Sequence, residues 1–233
     1  MKAWIPLCAA GLAWSLLAGQ AQDSKPQAKE QPKTESPKAG SKPEAGTANT
    51  NEVAVIKTSE GEMVIAFWPD VAPKTVANFK KLARQRFYDG TAFHRIVRGF
   101  MIQGGDPLSK DLAKEASWGE GDPGYHIDAE FSSRKHTRGV ISMARNGDPR
   151  ERFGAMPQPE FANSAGCQFF ICLADAPHLD GRYTCFGKLI KGDDVLTKIG
   201  DTPVGLNQSG EPSKPKKRVE IVSVKIVPAG SVK

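Results

Sequence analysis

The sequence predicts a mainly β fold of about eight strands and two helices, closed into a barrel. Three observations predict it. Short apolar runs recur from Val53 to Val227 with turn residues between them. Gly (23) and Pro (17) are plentiful and break the chain often. Only two stretches, opening at Pro73 and Asp193, suggest helices. Closing so many short strands on themselves removes exposed edges.

The chain opens with a segment of different character. In residues 1–21, Lys2 supplies a positive start and Trp4 to Ala18 is almost entirely apolar. Leu17-Ala18-Gly19-Gln20-Ala21 ends in the small residues that a signal peptidase accepts. The apolar run is short for a membrane span, which needs about 20 residues. An export signal is therefore expected, with a retained anchor as the alternative. Residues 22–51 form a Lys/Pro-rich linker; through residue 50 it has no aromatic and no large aliphatic side chain. Such a segment cannot bury enough apolar surface to offset its ordering entropy, so a disordered tether is expected.

A folded domain is expected over 52–228, followed by a flexible tail, 229–233. Val53-Ala54-Val55-Ile56 and Met63-Val64-Ile65-Ala66-Phe67 flank Ser59-Glu60-Gly61-Glu62 and read as a hairpin. Pro73 opens a helix, with Asp70 shortly before it and Val76, Phe79, Leu82 and Ala83 on the buried face. Strands follow at 93–97, 100–103, 139–143, 168–172 and 184–190. A short helix covers Asp193 to Ile199, and a last strand runs over Val219 to Val227.

The formal net charge is +6. Lys2 contributes one unit and residues 22–52 are balanced, which leaves a domain charge spread too thin to indicate nucleic acid. Lys214-Pro215-Lys216-Lys217-Arg218 is the densest basic run. It reads as a solvated turn before the last strand, with a nucleic-acid or targeting patch as the alternative. Cys8 lies in the leader. Cys167, Cys172 and Cys185 are read as small buried apolar residues. The four His lack metal-ligand spacing, so no metal and no cofactor are expected.

The segment Phe93-His94-Arg95-Ile96-Val97-Arg98-Gly99-Phe100-Met101-Ile102-Gln103-Gly104-Gly105-Asp106 resembles the signature of the cyclophilin family. The likeness continues at Gly139-Val140-Ile141-Ser142-Met143-Ala144, at Ser164 to Ile171, at Leu179-Asp180-Gly181 and at Phe186-Gly187, and spans about residues 53–228. It implies a closed eight-stranded antiparallel barrel capped by two α-helices, with a packed interior and substrate on an outer face. It also implies a peptidyl-prolyl cis-trans isomerase, EC 5.2.1.8.

That reaction turns an X–Pro bond over a barrier of about 18–20 kcal/mol. Unaided exchange takes roughly tens to hundreds of seconds. Twisting the amide makes the prolyl nitrogen a better acceptor. A donor placed there favours the transition state over the ground state. The resemblance assigns that donor to Arg95, whose guanidinium is permanently charged. It gives Phe100 a place in the catalytic pocket and Gln103 the hydrogen bonds to the peptide backbone. Met101, Ala144, Arg145, Phe170, His178, Leu179 and Tyr183 complete the substrate contacts. Since side chains alternate along a strand, a bend is needed for Phe100 and Met101 both to contribute. Phe169 is expected in the core.

Three positions depart from the family's animal members. His178 replaces a Trp important for cyclosporin binding, Tyr183 replaces a His, and Arg145 replaces an Asn. Together they suggest a bacterial-type member. Residues 146–163 look like an insertion beside Ala144, either a packed surface loop or a device that presents Phe153, Met156 and Phe161. The expected partners are proline-containing segments of exported proteins, met in the periplasm or outside the cell. A monomer without nucleic acid or stable membrane insertion after signal cleavage is expected. A proline-peptide binding module with negligible turnover is the competing function.

Overall fold

The computed structural model describes residues 51–232; the expected leader and the linker through residue 50 lie outside these residues. Strands β1 (Glu52–Thr58) and β2 (Gly61–Phe67) form the expected hairpin. Thr58 shapes its turn. The Thr58 Oγ1 hydroxyl donates to the Gly61 carbonyl (2.8 Å) and accepts from the amides of Glu60 and Gly61 (3.1 Å each). Helix α1 (Pro73–Arg84) begins at its proline and buries Val76, Phe79, Leu82 and Ala83, as the spacing predicts. Asp70 pairs with Arg134, and the first amides of α1, from Lys74 and Thr75, are accepted by Glu130 (3.0 and 2.8 Å). A carboxylate suits that positive helix end.

Nine strands, rather than about eight, curl into one antiparallel sheet, because a two-residue strand pairs with the last strand just before the run 93–97, of which only 95–97 is strand. Strand β3 (Thr91–Ala92) precedes Phe93 and His94, and β4 (Arg95–Val97) follows them. The remaining strands are β5 (Met101–Gly104), β6 (Val140–Met143), β7 (Phe169–Cys172), β8 (Cys185–Lys191) and β11 (Glu220–Pro228). Their order is β3-β11-β1-β2-β8-β6-β7-β5-β4. The two edge strands are thus consecutive in the chain, so the sheet curls until its edges are joined by Phe93 and His94. Two short helices, α2 (Pro159–Ala162) and α3 (Asp193–Gly200), follow β6 and β8.

The interior is aromatic at its centre. Phe79 of α1 packs on Tyr88, Phe169 and Phe186 with ring centroids 5.0, 5.5 and 5.4 Å away. Phe169 faces the core, as expected. The alternation of β7 sends Phe169 and Ile171 inward, while Phe170 and Cys172 join a second cluster outside, with Met101, Ala176 and Leu179. The three described cysteines are unpaired and buried, and burial pushes each thiol up to about 12.

A small ribbon was not foreseen. Strands β9 (Val204–Leu206) and β10 (Pro212–Pro215) pair around a turn at residues 207–211. Here the Asn207 side-chain oxygen accepts from the amides of Ser209 (3.0 Å) and Glu211 (2.9 Å). Much of the basic run is engaged. Lys214 pairs with Glu115, Lys217 pairs with Glu60, and Arg218 donates to the carbonyls of Gly90 and Ser109.

The insertion folds as a 3-10 turn, Pro149–Phe153, and then α2. Asp148 and Glu151 cap the turn reciprocally. Phe153 and Met156 stand in solvent, while Phe161 is half-buried.

Candidate active site

The register of the sheet composes the site. Arg95 on β4 lies opposite Gln103 on β5, Gln103 opposite Phe170 on β7, and Phe170 opposite Ser142 on β6. Directly paired residues share a face, so one row across four strands carries a cation, an amide and an aromatic ring. Met101 shares the outer face with Gln103. Phe100 escapes the alternation because it precedes β5 in a turn where Gly99 has φ 71°, a backbone state that costs glycine little. This is the bend that the sequence requires.

Arg95, Phe100, Met101, Gln103, Ala144, Arg145, Phe170, Leu179 and Tyr183 line one cavity of about 180 Å³. Nine of the ten residues selected from the sequence therefore converge. His178 does not. It is exposed, its ring packs on Phe100 at 5.3 Å, and it faces a separate groove with Glu151, Pro177 and Arg182. A larger, more polar cavity of about 420 Å³ adjoins the first through Gln103, Ala144 and Arg145.

The polar groups are chained. Arg95 Nη1 donates to Gln103 Oε1 (3.1 Å), and Gln103 Nε2 donates to Gln168 Oε1 (3.1 Å). Gln168 Nε2 then donates to the carbonyls of Gly119 and Gly121 (2.8 Å each). On its other edge Arg95 donates from Nε and Nη2 to the two oxygens of Glu211, both at 2.7 Å. This hydrogen-bonded ion pair holds the Glu211 carboxyl below the usual carboxylate range. Glu211 was absent from the sequence-derived site. Its pairing spans 116 residues, and only the turn residues Asn207 to Gly210 hint at the ribbon that carries it.

Arg145 is almost fully buried, with 2% of its side chain exposed. It donates to both oxygens of Glu151 (2.6 and 3.1 Å), to the Arg182 carbonyl (3.0 and 3.2 Å) and to the Asn146 carbonyl (2.8 Å). Its guanidinium lies 4.2 Å from the Tyr183 ring centroid. All five donors are occupied, so Arg145 offers the cavity its flank and fastens the insertion beside it. Tyr183 meets Phe170 edge-on at 5.8 Å.

Behind Phe170 stands a second polar group. His136 stacks on Phe170 at 6.0 Å, with Nδ1 3.1 Å from Asp180 and Nε2 3.2 Å from Ser142 Oγ. The grouping has the membership of a hydrolytic triad but not its exposure. Ser142 is wholly buried and its hydroxyl donates to the Thr184 carbonyl (2.9 Å). The group braces the pocket floor. Among the described residues no cluster of His, Cys, Asp and Glu is able to hold a metal ion.

The model of the family "cyclophilin type peptidyl-prolyl cis-trans isomerase/CLD" matches residues 53–226. A probable peptidyl-prolyl cis-trans isomerase of Brucella abortus is 38% identical over 159 residues, covering 66% of this chain and 74% of its own. A peptidyl-prolyl cis-trans isomerase of Synechococcus elongatus is 41% identical over 146 residues, covering 63% and 84%. A crystal structure of a Cryptosporidium parvum cyclophilin superposes with a TM-score of 0.62 at 31% identity, over 76% of this chain and 97% of that one. The same protein, crystallised in the presence of the dipeptide Ala-Pro, superposes with a TM-score of 0.61 at 30% identity, over 75% of this chain and 98% of that one. With a signature that fills β4 and β5, a sheet of this order and a match over most of its length, the chain belongs to the cyclophilin-type peptidyl-prolyl cis-trans isomerase family.

Proposed function

We propose that this isomerase turns X–Pro bonds in exported proteins and so assists their folding. Arg95 stabilises the twisted prolyl amide, and Phe100, Met101, Phe170 and Leu179 receive the proline ring. The observation that carries the reading is the row Arg95–Gln103–Phe170, which sets a guanidinium and an amide beside an apolar cavity. An apolar floor grips the ring without holding the peptide bond, which must rotate. Gln103 is oriented by Gln168 and offers polar atoms to the peptide backbone. Arg95 supplies a donor whose interaction strengthens as the prolyl nitrogen loses resonance, and such an interaction accelerates rather than merely binds. No covalent bond breaks, so neither a nucleophile nor a general base is called for.

Export rests on the composition of residues 1–21, and the bacterial-type assignment on Arg145, His178 and Tyr183. A periplasmic or secreted isomerase would meet chains that have just crossed a membrane, when slow X–Pro exchange limits folding.

The test is protease-coupled isomerisation of a short Ala-Pro peptide by the purified protein beside Arg95→Ala. The variant is expected to lose about 100-fold to 1,000-fold in kcat, the range for removal of one preorganised donor. Equal rates from the two proteins would refute the role of Arg95. Binding without acceleration by the wild type would make the domain a peptide-binding module.

A further inference from the structure

The turn between β9 and β10 delivers a carboxylate to the edge of Arg95 that points away from Gln103. We propose that Glu211 is a positioning residue, which fixes the guanidinium so that its unoccupied N–H groups serve the proline pocket. The inference rests on the reading of Arg95 given above.

A guanidinium carries five N–H donors in a rigid fork. Glu211 takes the one on Nε and one on Nη2, and Gln103 takes one on Nη1. Two remain, one on each terminal nitrogen, and Arg95 lines the cavity with Phe100, Met101 and Phe170. A long side chain with a third of its surface exposed samples many rotamers unless something holds it, and a donor that wanders from the prolyl nitrogen contributes nothing to the twisted state.

Glu211 is itself held. The Glu211 amide donates to Asn207 Oδ1 (2.9 Å), and its carbonyl accepts from the amides of Asn207 (2.8 Å) and Ser213 (2.9 Å). Asn207 Nδ2 also approaches its carboxylate at 3.4 Å. The closed turn thus transmits its rigidity to the guanidinium through two parallel bonds, the geometry in which an arginine–carboxylate pair is most directional. The pair also cancels the charge at the pocket rim. Arg95 then acts as an aimed donor and exerts little general pull on acidic peptides.

The test is a double-mutant cycle on the full chain: wild type, Glu211→Ala, Arg95→Ala and the double variant. The readouts are kcat and KM measured separately on a short Ala-Pro peptide, and the nuclear magnetic resonance signal of the Arg95 Nε–H. Glu211→Ala is expected to lower kcat about tenfold with KM changed less than about twofold, and to shift that signal. Glu211→Gln, which keeps one acceptor oxygen, should fall between. In the Arg95→Ala background, Glu211→Ala should cost nothing further. A wild-type kcat in Glu211→Ala, or an equal loss in both backgrounds, would overturn the inference, since a mere effect on the fold is blind to Arg95. The two readings fail separately. If Arg95→Ala is fully active, the mechanism falls first. If Arg95→Ala is impaired and Glu211→Ala is not, only the inference falls.

Discussion

Adjacent residues of β7 belong to two different regions of the molecule. Phe169 turns inward to Phe79, Tyr88 and Phe93, in an interior closed on every side. Phe170 turns outward to a cluster with Met101, Cys172, Ala176 and Leu179, whose open side is the cavity. Both rings are buried, so burial alone does not distinguish structure from site. What differs is the rim. The interior is ringed by more apolar side chains, and the outer cluster by Arg95, Gln103, Arg145 and Tyr183. The core and the candidate site thus lie on opposite faces of one strand.

The comparison breaks most sharply under truncation. Phe169→Ala should cost about 3–5 kcal/mol of stability, as expected for a large aromatic removed from a close-packed core. Phe170→Ala should instead raise KM for an Ala-Pro peptide, with the smaller loss of stability. Chemical denaturation beside kinetics separates the two, and equal stability losses would contradict the division drawn here. Next in size is Glu151→Ala. It strips the nearly buried Arg145 of its carboxylate and should cost about 3 kcal/mol, because an unpaired buried charge is left behind. Cleavage near Arg152 in limited proteolysis should accelerate as the insertion loosens.

A smaller effect comes from the buried neighbour of Arg95. His94 packs under Gly119, and burial depresses its pKa to about 4. The unfolded chain therefore takes up this proton first as the pH falls below about 6.5. Stability should decline between pH 6.5 and 4, by at most about 1.4 kcal/mol per unit from this residue. His136, whose pKa is also lowered by burial, adds to the same slope. His94→Gln should reduce the slope in denaturation curves at pH 7 and 5; an unchanged slope would exclude His94 as its source. Smallest of all, His178→Ala should alter kcat/KM by less than about twofold, because His178 braces the outside of Phe100 and does not face the cavity. A larger loss in the peptide assay would return it to the site.

This division was largely legible in the sequence. The family resemblance puts Phe170 in the pocket, and the alternation of side chains along a strand then sends its neighbour Phe169 to the core, while the segment Phe93 to Asp106 brings Arg95, Phe100, Met101 and Gln103 together. Two things were hidden. The two-residue strand Thr91–Ala92, ahead of the run 93–97, exists through its pairing with Glu220 and Ile221, which no local pattern records. The ribbon holding Glu211 is made of short strands with a proline at each end of β10 and little apolar alternation. Its partner, Arg95, is far away in sequence, so the pairing exists only in the fold. Arg145 was legible as a departure from the family, but its role as the fastening of the insertion required Glu151 to be placed.

The pairing of β1 with β11 has a consequence for synthesis. Glu52 lies against Pro228 and Lys57 against Ser223, so this ladder joins the first and last strands of the described domain. A ribosome delivers β1 early, and β2 covers one side of it at once through the hairpin. The other side stays open until the last strand has been translated. Completion of the domain is therefore timed by its final residues, and contacts of such sequence separation form slowly. For that interval the nascent domain carries an unsatisfied strand edge, and any factor that shields extended chain would find its target there.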